Sequence, residues 1–520
     1  METKIITSVL IACFFALMIG VGIYCRKKAT SVEGFVLGGR SVGPWLTAFA
    51  FGTSYFSAVI FVGYAGQFGW NFGLASTWIG LGNAFIGSLL AWNVLGRRTR
   101  IMTQHLNSKT MPDFFEKRFG SSKLKVIASV IVFIFLIPYT ASLYNGLSSL
   151  FGIAFEIPYW VCIVIMAILT GVYVVFGGYM ATAINDFIQG IIMLVGIVVV
   201  VVSVLLKNGG LMESVSLLAE TSGAEYTSLL GPDPMSLITV VLLTSLGTWG
   251  LPQMIGKFYS ISNESAIKKG TVISTVFAII VAGGCYFLGG FGRLFVTEAD
   301  IALAGGKLNY DKIVPAMLSA LPSAVIAIVI VLVLSASMST LSSLVLTSAS
   351  TITLDMVVPS LKKNISEKKK LLIMRLFIVF FIIVSAAIAI LKDTLNITFI
   401  AQMMGISWGA LAGSFLAPFL YGLYWKKVTR PAVWASFAFG VGIMTTQLIL
   451  SLAGLIPESG FIHFIFQNSL YTGVVAMLVG LIIVPVVSLC TQKKKPDNTE
   501  DIFECYNKDV TVKNKQSLGE

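Results

Sequence analysis

Apolar runs long enough to cross a bilayer recur along the whole chain of 520 residues, separated by short polar segments. A membrane-crossing helix needs roughly 20 mostly apolar residues. The pattern therefore predicts an all-α polytopic membrane protein with thirteen transmembrane helices. The predicted spans are 5–25, 44–72, 74–96, 122–152, 157–176, 180–206, 235–256, 271–295, 322–352, 371–391, 396–425, 431–454 and 469–490.

Composition agrees with a membrane protein. Hydrophobic residues make up 56% of the chain, and the mean hydropathy is +0.88. Charged residues make up 12%, about half the ~25% of soluble domains. These values exclude a disordered chain, a coiled coil and an ordinary cytosolic enzyme. The net charge of +12 reflects the placement of basic loops and does not indicate a nucleic-acid partner.

The basic residues predict the orientation in a plasma membrane. With the N-terminus outside, 30 of the 36 Lys and Arg residues fall on the cytoplasmic side, as the positive-inside rule requires. The first apolar run lacks a cleavage pattern and is followed by basic residues, so we expect a retained helix. The segment from Gln492 onward is polar, and we expect a flexible cytoplasmic tail.

Two predicted spans are interrupted. The second contains a glycine and a polar cluster, Phe51–Ser57, and the seventh contains two glycines and a proline within Thr244–Pro252. Such interruptions in lipid usually line a cavity or a site, although glycines can also simply allow close packing. If spans two to six and seven to eleven are inverted five-helix repeats, each begins with its broken helix, a pattern typical of secondary transporters. The expected units are a first helix with its inner loop (1–43), the first repeat (44–206), the second repeat (207–425), two peripheral helices (426–490) and the tail (491–520).

The ninth span carries an unusual number of hydroxyls. Hydroxyl oxygens together with backbone carbonyls freed by a broken helix suit a monovalent cation such as sodium. Interhelical packing is the alternative, since Ser and Thr commonly join helices in membranes. The hydroxyl residues are Ser335, Ser337, Ser339, Thr340, Ser342, Ser343, Thr347 and Ser348.

Asp186 is predicted to be the one carboxylate inside a span. An intramembrane acid is a functional hypothesis by default, because its burial is costly unless it is paired. The sequence predicts no Lys, Arg or His at comparable depth, which favours a cation as its partner. The alternative is an interfacial residue hydrated from the cytoplasm.

Five short runs carry a family resemblance. They are Phe35–Ser41, Gly177–Gly178, Asn185–Gly190, Gly250–Pro252 and Ala336–Ser343. With these runs the chain resembles the sodium:solute symporters, which include proline, pantothenate, sialic acid and sugar transporters. The resemblance implies the leucine-transporter-type inverted repeat of five plus five helices.

The resemblance also implies the ion sites. It places a first sodium ion at Thr53, Phe56, Ala336, Ser339 and Thr340. It places a second sodium ion, present in some members, at Asp186, Ser339, Ser342 and Ser343, which would make a 2:1 coupling plausible. Arg40 matches an arginine associated with ion coupling near the inner gate.

The resemblance leaves the solute open. Tyr55 stands where proline carriers have an acid, and Thr244 and Thr248 stand where they have aromatic residues, which weakens a proline assignment. The Asn185–Gly190 and Gly250–Pro252 runs look closer to pantothenate carriers. The implied solute-binding candidates are Tyr55, Ser57, Gln67, Tyr139, Thr248, Trp249, Gln402 and Met403.

These observations predict a sodium-coupled symporter that imports a small organic solute, such as proline or a monocarboxylate such as pantothenate, by alternating access. We expect a monomer in the lipid bilayer and no enzymatic activity. A non-transporting solute sensor and an ion channel on the same fold are the alternatives.

Overall fold

The computed structural model is helical throughout the residues it describes, with no β-strand among them. Ten helices there are long and apolar enough to span a bilayer, and a bent pair supplies an eleventh candidate. The sequence prediction of an all-helical membrane protein is therefore confirmed. The described residues are 2–26, 29–155, 158–303, 308–361, 365–395, 400–496 and 498–506.

The first part of the chain contains the first predicted interruption. Helix α3 begins with a proline in its first turn and ends at Tyr55. Phe56 then leaves helical geometry, with φ −97° and ψ 89°. A continuous helical stretch follows from Val59 to His105 and is 47 residues long. The helices up to this point are α1 (Glu2–Cys25), α2 (Val32–Leu37), α3 (Pro44–Tyr55), α4 (Ala65–Phe72), α5 (Thr77–Gly82) and α6 (Arg97–His105).

A glycine divides the longest helix of the fold. At roughly 1.5 Å per residue, the 49 residues of α9 would be more than twice as long as the roughly 30 Å hydrocarbon core. Gly178 has φ 56° and ψ −154°, which interrupts the helix about midway. The predicted spans 157–176 and 180–206 lie on either side of it. The helices of this region are α7 (Met111–Phe119), α8 (Ser122–Phe155), α9 (Tyr159–Lys207) and α10 (Leu211–Ser222).

The second predicted interruption separates α11 from α12. A tight turn at Gly247–Gly250 and an extended Leu251 precede Pro252, which opens α12. The two segments meet at an angle of 49°. The helices here are α11 (Pro234–Leu246), α12 (Pro252–Ser260), α13 (Glu264–Gly289), α14 (Glu298–Ile301) and α15 (Ile313–Ser319).

Helix α16, which carries the hydroxyl-rich sequence, lies at the centre of the bundle. It packs against α3, α8 and α9, and nearly all of its second half is buried. Helix α19 packs against α8, α20 and α22. The remaining helices are α16 (Ser323–Thr351), α17 (Val358–Ser360), α18 (Glu367–Leu395), α19 (Ile400–Tyr424), α20 (Arg430–Ala453), α21 (Gly460–Phe466), α22 (Ser469–Cys490) and α23 (Thr499–Phe503).

The expectation of a flexible tail from Gln492 is wrong for the part that the structure describes. Residues of α23 fold back onto the protein, and Phe503 is buried beside the guanidinium of Arg118 at 5.0 Å. Lys426 Nζ donates to Glu500 Oε2 at 2.6 Å, and Tyr506 donates to the Arg98 carbonyl at 3.3 Å. A segment this short can dock through a few buried side chains. Its sequence therefore shows no long periodic apolar pattern from which docking could be predicted. Residues 507–520 lie outside the described part of the chain.

Candidate functional site

The break after α3 brings a backbone carbonyl against the hydroxyls of α16. The last four carbonyls of a helix have no partner within it, and Thr53 lies in the last turn of α3. Its carbonyl accepts hydrogen bonds from Ser339 Oγ at 3.1 Å and Thr340 Oγ1 at 3.0 Å. Both hydroxyls also lie 3.2 Å from the carbonyl of Ala336. We call Thr53, Ala336, Ser339 and Thr340 the hydroxyl cluster.

The hydroxyl cluster contains only uncharged oxygens and is fully enclosed. Thr53, Ser339 and Thr340 have no exposed surface. Phe56 lines a small internal cavity together with Ala336. All five residues predicted for the first sodium ion therefore lie together. Hydroxyl and carbonyl oxygens are the hard ligands that alkali and alkaline-earth cations prefer.

A second polar cluster lies on the neighbouring turn of α16. Asp186 on α9 is fully buried, and its Oδ2 lies 3.6 Å from Nζ of Lys257. Lys257 donates to Ser343 Oγ at 2.9 Å, and the Ser343 hydroxyl contacts that of Ser54 at 2.7 Å. We call Ser54, Asp186, Lys257 and Ser343 the lysine cluster. Ser342 lies beside it and donates to the carbonyl of Ser339 at 2.8 Å.

The expectation that no basic residue pairs with Asp186 is wrong. The predicted seventh span ended at residue 256, which placed Lys257 in a cytoplasmic loop. In the structure α12 continues to Ser260, and Lys257 is only 3% exposed. The apolar Phe258 and Tyr259 after the lysine were the available signal for a longer helix. The prediction that Asp186 is the one carboxylate inside a span is wrong as well, because the apolar helical stretch Ser323–Ser360 contains Asp355, which is buried and accepts from Thr110 Oγ1 at 2.6 Å.

Beside the break in α3, three buried polar atoms lie on or next to aromatic side chains. The ring of Trp408 lies 6.1 Å from the rings of both Tyr55 and Tyr139. The Tyr139 hydroxyl lies close to Ser57 and to the Trp408 indole. Yet Ser57 Oγ, the Tyr139 hydroxyl and Trp408 Nε1 are buried without a hydrogen-bond partner among the described residues. We call Tyr55, Ser57, Tyr139 and Trp408 the aromatic compartment.

Sequence reasoning missed Trp408. It selected Gln402 and Met403 from the same helix, α19. Six residues correspond to about 1.7 turns, so Trp408 faces a different direction from Gln402. The carbonyl of Gln402 accepts from Ser469 of α22 at 3.1 Å, and Met403 is buried. The only sequence signal for Trp408 was the presence of a tryptophan within the predicted span 396–425.

The remaining solute candidates, Thr248, Trp249 and Gln67, do not belong to the aromatic compartment. Thr248 Oγ1 bonds to the carbonyl of Ser245 at 2.9 Å, in the turn between α11 and α12. The indole nitrogen of Trp249 donates to the carbonyl of Ile86 at 3.1 Å. Gln67 lines a separate polar cavity of about 400 Å³ with Arg293.

Arg40 joins three segments of the chain. Its backbone has a positive φ of 55°, and its side chain is buried. The guanidinium donates to the carbonyl of Ser108 at 2.5 Å and to that of Tyr259 at 3.3 Å. Glu33 lies 3.7 Å from it. Arg40 thus ties the start of α3 to the end of α12.

The profile of the sodium:solute symporter family matches residues 35–440. The chain belongs to this family.

Curated relatives of this symporter cover nearly its whole length. It is 28% identical over 489 residues to the osmoregulated proline transporter OpuE of Bacillus subtilis (strain 168), covering 92% of this chain and 95% of the relative. It is 30% identical over 499 residues to the sodium/proline symporter of Staphylococcus aureus (strain JH9), covering 94% and 93%.

Solved structures support the fold of the symporter. It matches a substrate-bound, outward-open Na⁺-coupled sialic acid symporter with a TM-score of 0.70 and 16% identity, covering 93% of this chain and 98% of that one. It matches a manganese transporter of Eremococcus coleocola with a TM-score of 0.53 and 14% identity, covering 87% and 95%. At these identities the likeness concerns the fold alone.

Family membership confirms the predicted class of function. The protein is a sodium-coupled solute symporter in a membrane and not an enzyme. Sodium is its coupling ion, and an organic solute is its cargo.

Proposed function

We propose that the symporter imports a small amino acid, with proline as the first candidate, driven by sodium bound at the hydroxyl cluster. The observation that carries this proposal is the contact of the freed Thr53 carbonyl with Ser339 and Thr340, directly beside the aromatic compartment. Sodium there would join α3 to α16 and favour the conformation that binds solute. Coupling then arises from differential affinity for two states.

The aromatic compartment supports a compact solute with one carboxylate. Its three unpartnered polar atoms, Ser57 Oγ, the Tyr139 hydroxyl and Trp408 Nε1, can each donate a hydrogen bond. The rings of Tyr139 and Trp408, whose centres lie 6.1 Å apart, are apolar bodies against which a small hydrocarbon group can pack. A carboxylate on an apolar ring, as in proline, matches both features. The named relatives, a proline transporter and a sodium/proline symporter, point to the same solute.

The proposed topology has thirteen spans, with the N-terminus outside and the C-terminus cytoplasmic. Support comes from the helical stretches Val59–His105 and Tyr159–Lys207, whose 47 and 49 residues are each long enough for two crossings. The placement of the basic residues supports the same topology. The two broken helices, α3 with its continuation and α11 with α12, would each begin one of the inverted five-helix repeats, 44–206 and 207–425. We propose a monomer as the functional unit, because one chain supplies both clusters and the compartment.

Transport into proteoliposomes tests this function. With an inward sodium gradient, radiolabelled proline is expected to accumulate above its outside concentration and to be released when the gradient is dissipated. A competition panel of amino acids, pantothenate and other monocarboxylates identifies the preferred solute. Sodium-dependent accumulation of pantothenate, with no effect of proline, would overturn the proline assignment. Binding of solute without accumulation would favour a sensor, and a current that needs no solute would favour a channel.

Tyr139→Phe tests the aromatic compartment. The variant removes a hydroxyl without changing the ring, so its apolar contacts with Trp408 remain. We expect the solute concentration at half-maximal uptake to rise at least about 10-fold, since a hydrogen bond to a charged group contributes about 1.5–3 kcal/mol and each 1.4 kcal/mol is a factor of ten. Uptake kinetics at saturating sodium measure this change. Tyr421→Phe, which removes a hydroxyl bonded to the Leu481 carbonyl, is the control, and equal affinities in both variants would remove Tyr139 from the site.

A further inference from the structure

Lys257 enters the middle of the protein because α12 bends away from α11. The two segments meet at 49°, and the bend directs α12 across α3 and α16. Lys257 is 3% exposed, and its amino group lies 5.3 Å from the centre of the Tyr179 ring. A charged amine at such a place is tolerated only when it is paired, and the lysine cluster supplies its partners.

The ammonium lies among residues assigned to a second sodium ion by resemblance. It is 2.9 Å from Ser343 Oγ and 3.6 Å from Asp186 Oδ2. Neither carboxylate oxygen of Asp186 has a hydrogen-bond partner among the described residues. Lys257 therefore supplies the opposite charge for this carboxylate. One positive and one negative charge balance there, and an added sodium ion would be repelled by the ammonium at close range.

The lysine cluster is also joined to the hydroxyl cluster. Ser343 contacts Ser54, the residue that follows Thr53, at 2.7 Å. Ser339 and Ser343 lie one turn apart on α16, on the same face of the helix. A fixed positive charge is thus attached to the same two helices that a sodium ion at the hydroxyl cluster would join.

We propose that the Lys257 ammonium is a built-in cation that takes the place of a second sodium ion, so that the symporter couples one sodium ion to each solute. This inference rests on the proposed first sodium site. It replaces the 2:1 coupling that the resemblance makes plausible. Asp186 and Ser343 then serve to position the lysine and do not bind sodium in the natural sequence.

The direct test is the ratio of fluxes in proteoliposomes containing the full chain. Parallel uptake of ²²Na⁺ and radiolabelled proline is expected to give a 1:1 ratio, with a Hill coefficient of 1 for sodium. A 2:1 ratio in the natural sequence would overturn the inference while leaving sodium-coupled import intact. If no sodium-coupled uptake occurs at all, the proposed function itself fails, so the two failures are distinguishable.

Two variants test the role of the charge. Lys257→Met keeps an unbranched apolar stem and leaves Asp186 available to a cation, so sodium dependence is expected to become cooperative, with a Hill coefficient approaching 2. The double variant Lys257→Met/Asp186→Asn removes both charges and is expected to return the coefficient to 1. Lys268→Met, at an exposed position on α13, is the control.

Sodium-dependent thermal stability of the purified variants keeps the inference testable if Lys257→Met does not transport. We expect that variant to be stabilised by sodium more steeply than the natural sequence, and the double variant to lose the added steepness. Unchanged sodium dependence of both transport and stability in Lys257→Met would show that the ammonium does not occupy a cation position.

Discussion

Thr340→Ala is expected to raise the sodium concentration for half-maximal uptake by about 10- to 150-fold. The substitution removes a hydroxyl that contacts the carbonyls of both Thr53 and Ala336, at 3.0 and 3.2 Å. A contact between a neutral oxygen and a charged group contributes about 1.5–3 kcal/mol, and each 1.4 kcal/mol is a factor of ten. Uptake of labelled solute across a sodium series measures the change.

A control on the same helix distinguishes loss of a sodium ligand from the general effect of removing a buried hydroxyl. Ser335→Ala removes an equally buried hydroxyl that bonds only within α16, to the Val331 carbonyl at 2.8 Å. We expect it to retain the sodium dependence of the natural sequence. If Thr340→Ala and Ser335→Ala behave alike, Thr340 is not a sodium ligand.

Gly289→Ala is expected to prevent stable packing of α13 against α4. A Cβ atom at position 289 would overlap the carbonyl oxygen of Ala65, and one at Gly69 would overlap the backbone of Gly289. Because the obstacle is backbone, no side-chain rotation relieves the clash. Overpacking typically costs about 1–3 kcal/mol and sometimes more, and we expect the upper end here. The yield of monodisperse protein and its Tm in detergent report the loss.

Gly283→Ala provides a matched control on the same helix. A Cβ atom at that position meets nothing within 4 Å, so the change adds helix propensity without a clash. Its yield and Tm should stay at or above those of the natural sequence. A Gly289→Ala protein that is as stable as Gly283→Ala would show that α4 and α13 can separate without cost.

Apolar runs were sufficient to predict an all-helical membrane protein, and glycine or proline interruptions predicted the breaks after Tyr55 and before Pro252. The break at Tyr55 and the bend at Pro252 follow from local chemistry, since glycine and proline disfavour a continuous helix. The hydroxyl cluster was predictable for a similar reason. Ser339 and Thr340 share one face of a single helix, and their partner carbonyl lies in a segment already identified as broken.

Features that depend on tertiary packing were not predictable from the sequence. The depth of Lys257 depends on the direction of α12 after its bend, which hydropathy does not report. The contribution of Trp408 depends on how α19 is rotated about its axis. Docking of Phe503 depends on Arg118, which lies far away in the sequence and offers its guanidinium to the ring.

Because Lys257 is covalently part of the chain, it limits how much energy of the membrane potential the symporter can use for each solute. A charge that belongs to the chain returns with it in every cycle, so it moves nothing down a gradient. Each transferred ion releases about 2.3 kcal/mol per 100 mV of membrane potential, which corresponds to roughly a 50-fold concentration ratio for a neutral solute. A second mobile ion would square that ratio, to roughly 2,500-fold. Replacing it by a lysine lowers the attainable concentration of solute inside the cell and halves the charge spent on each molecule imported.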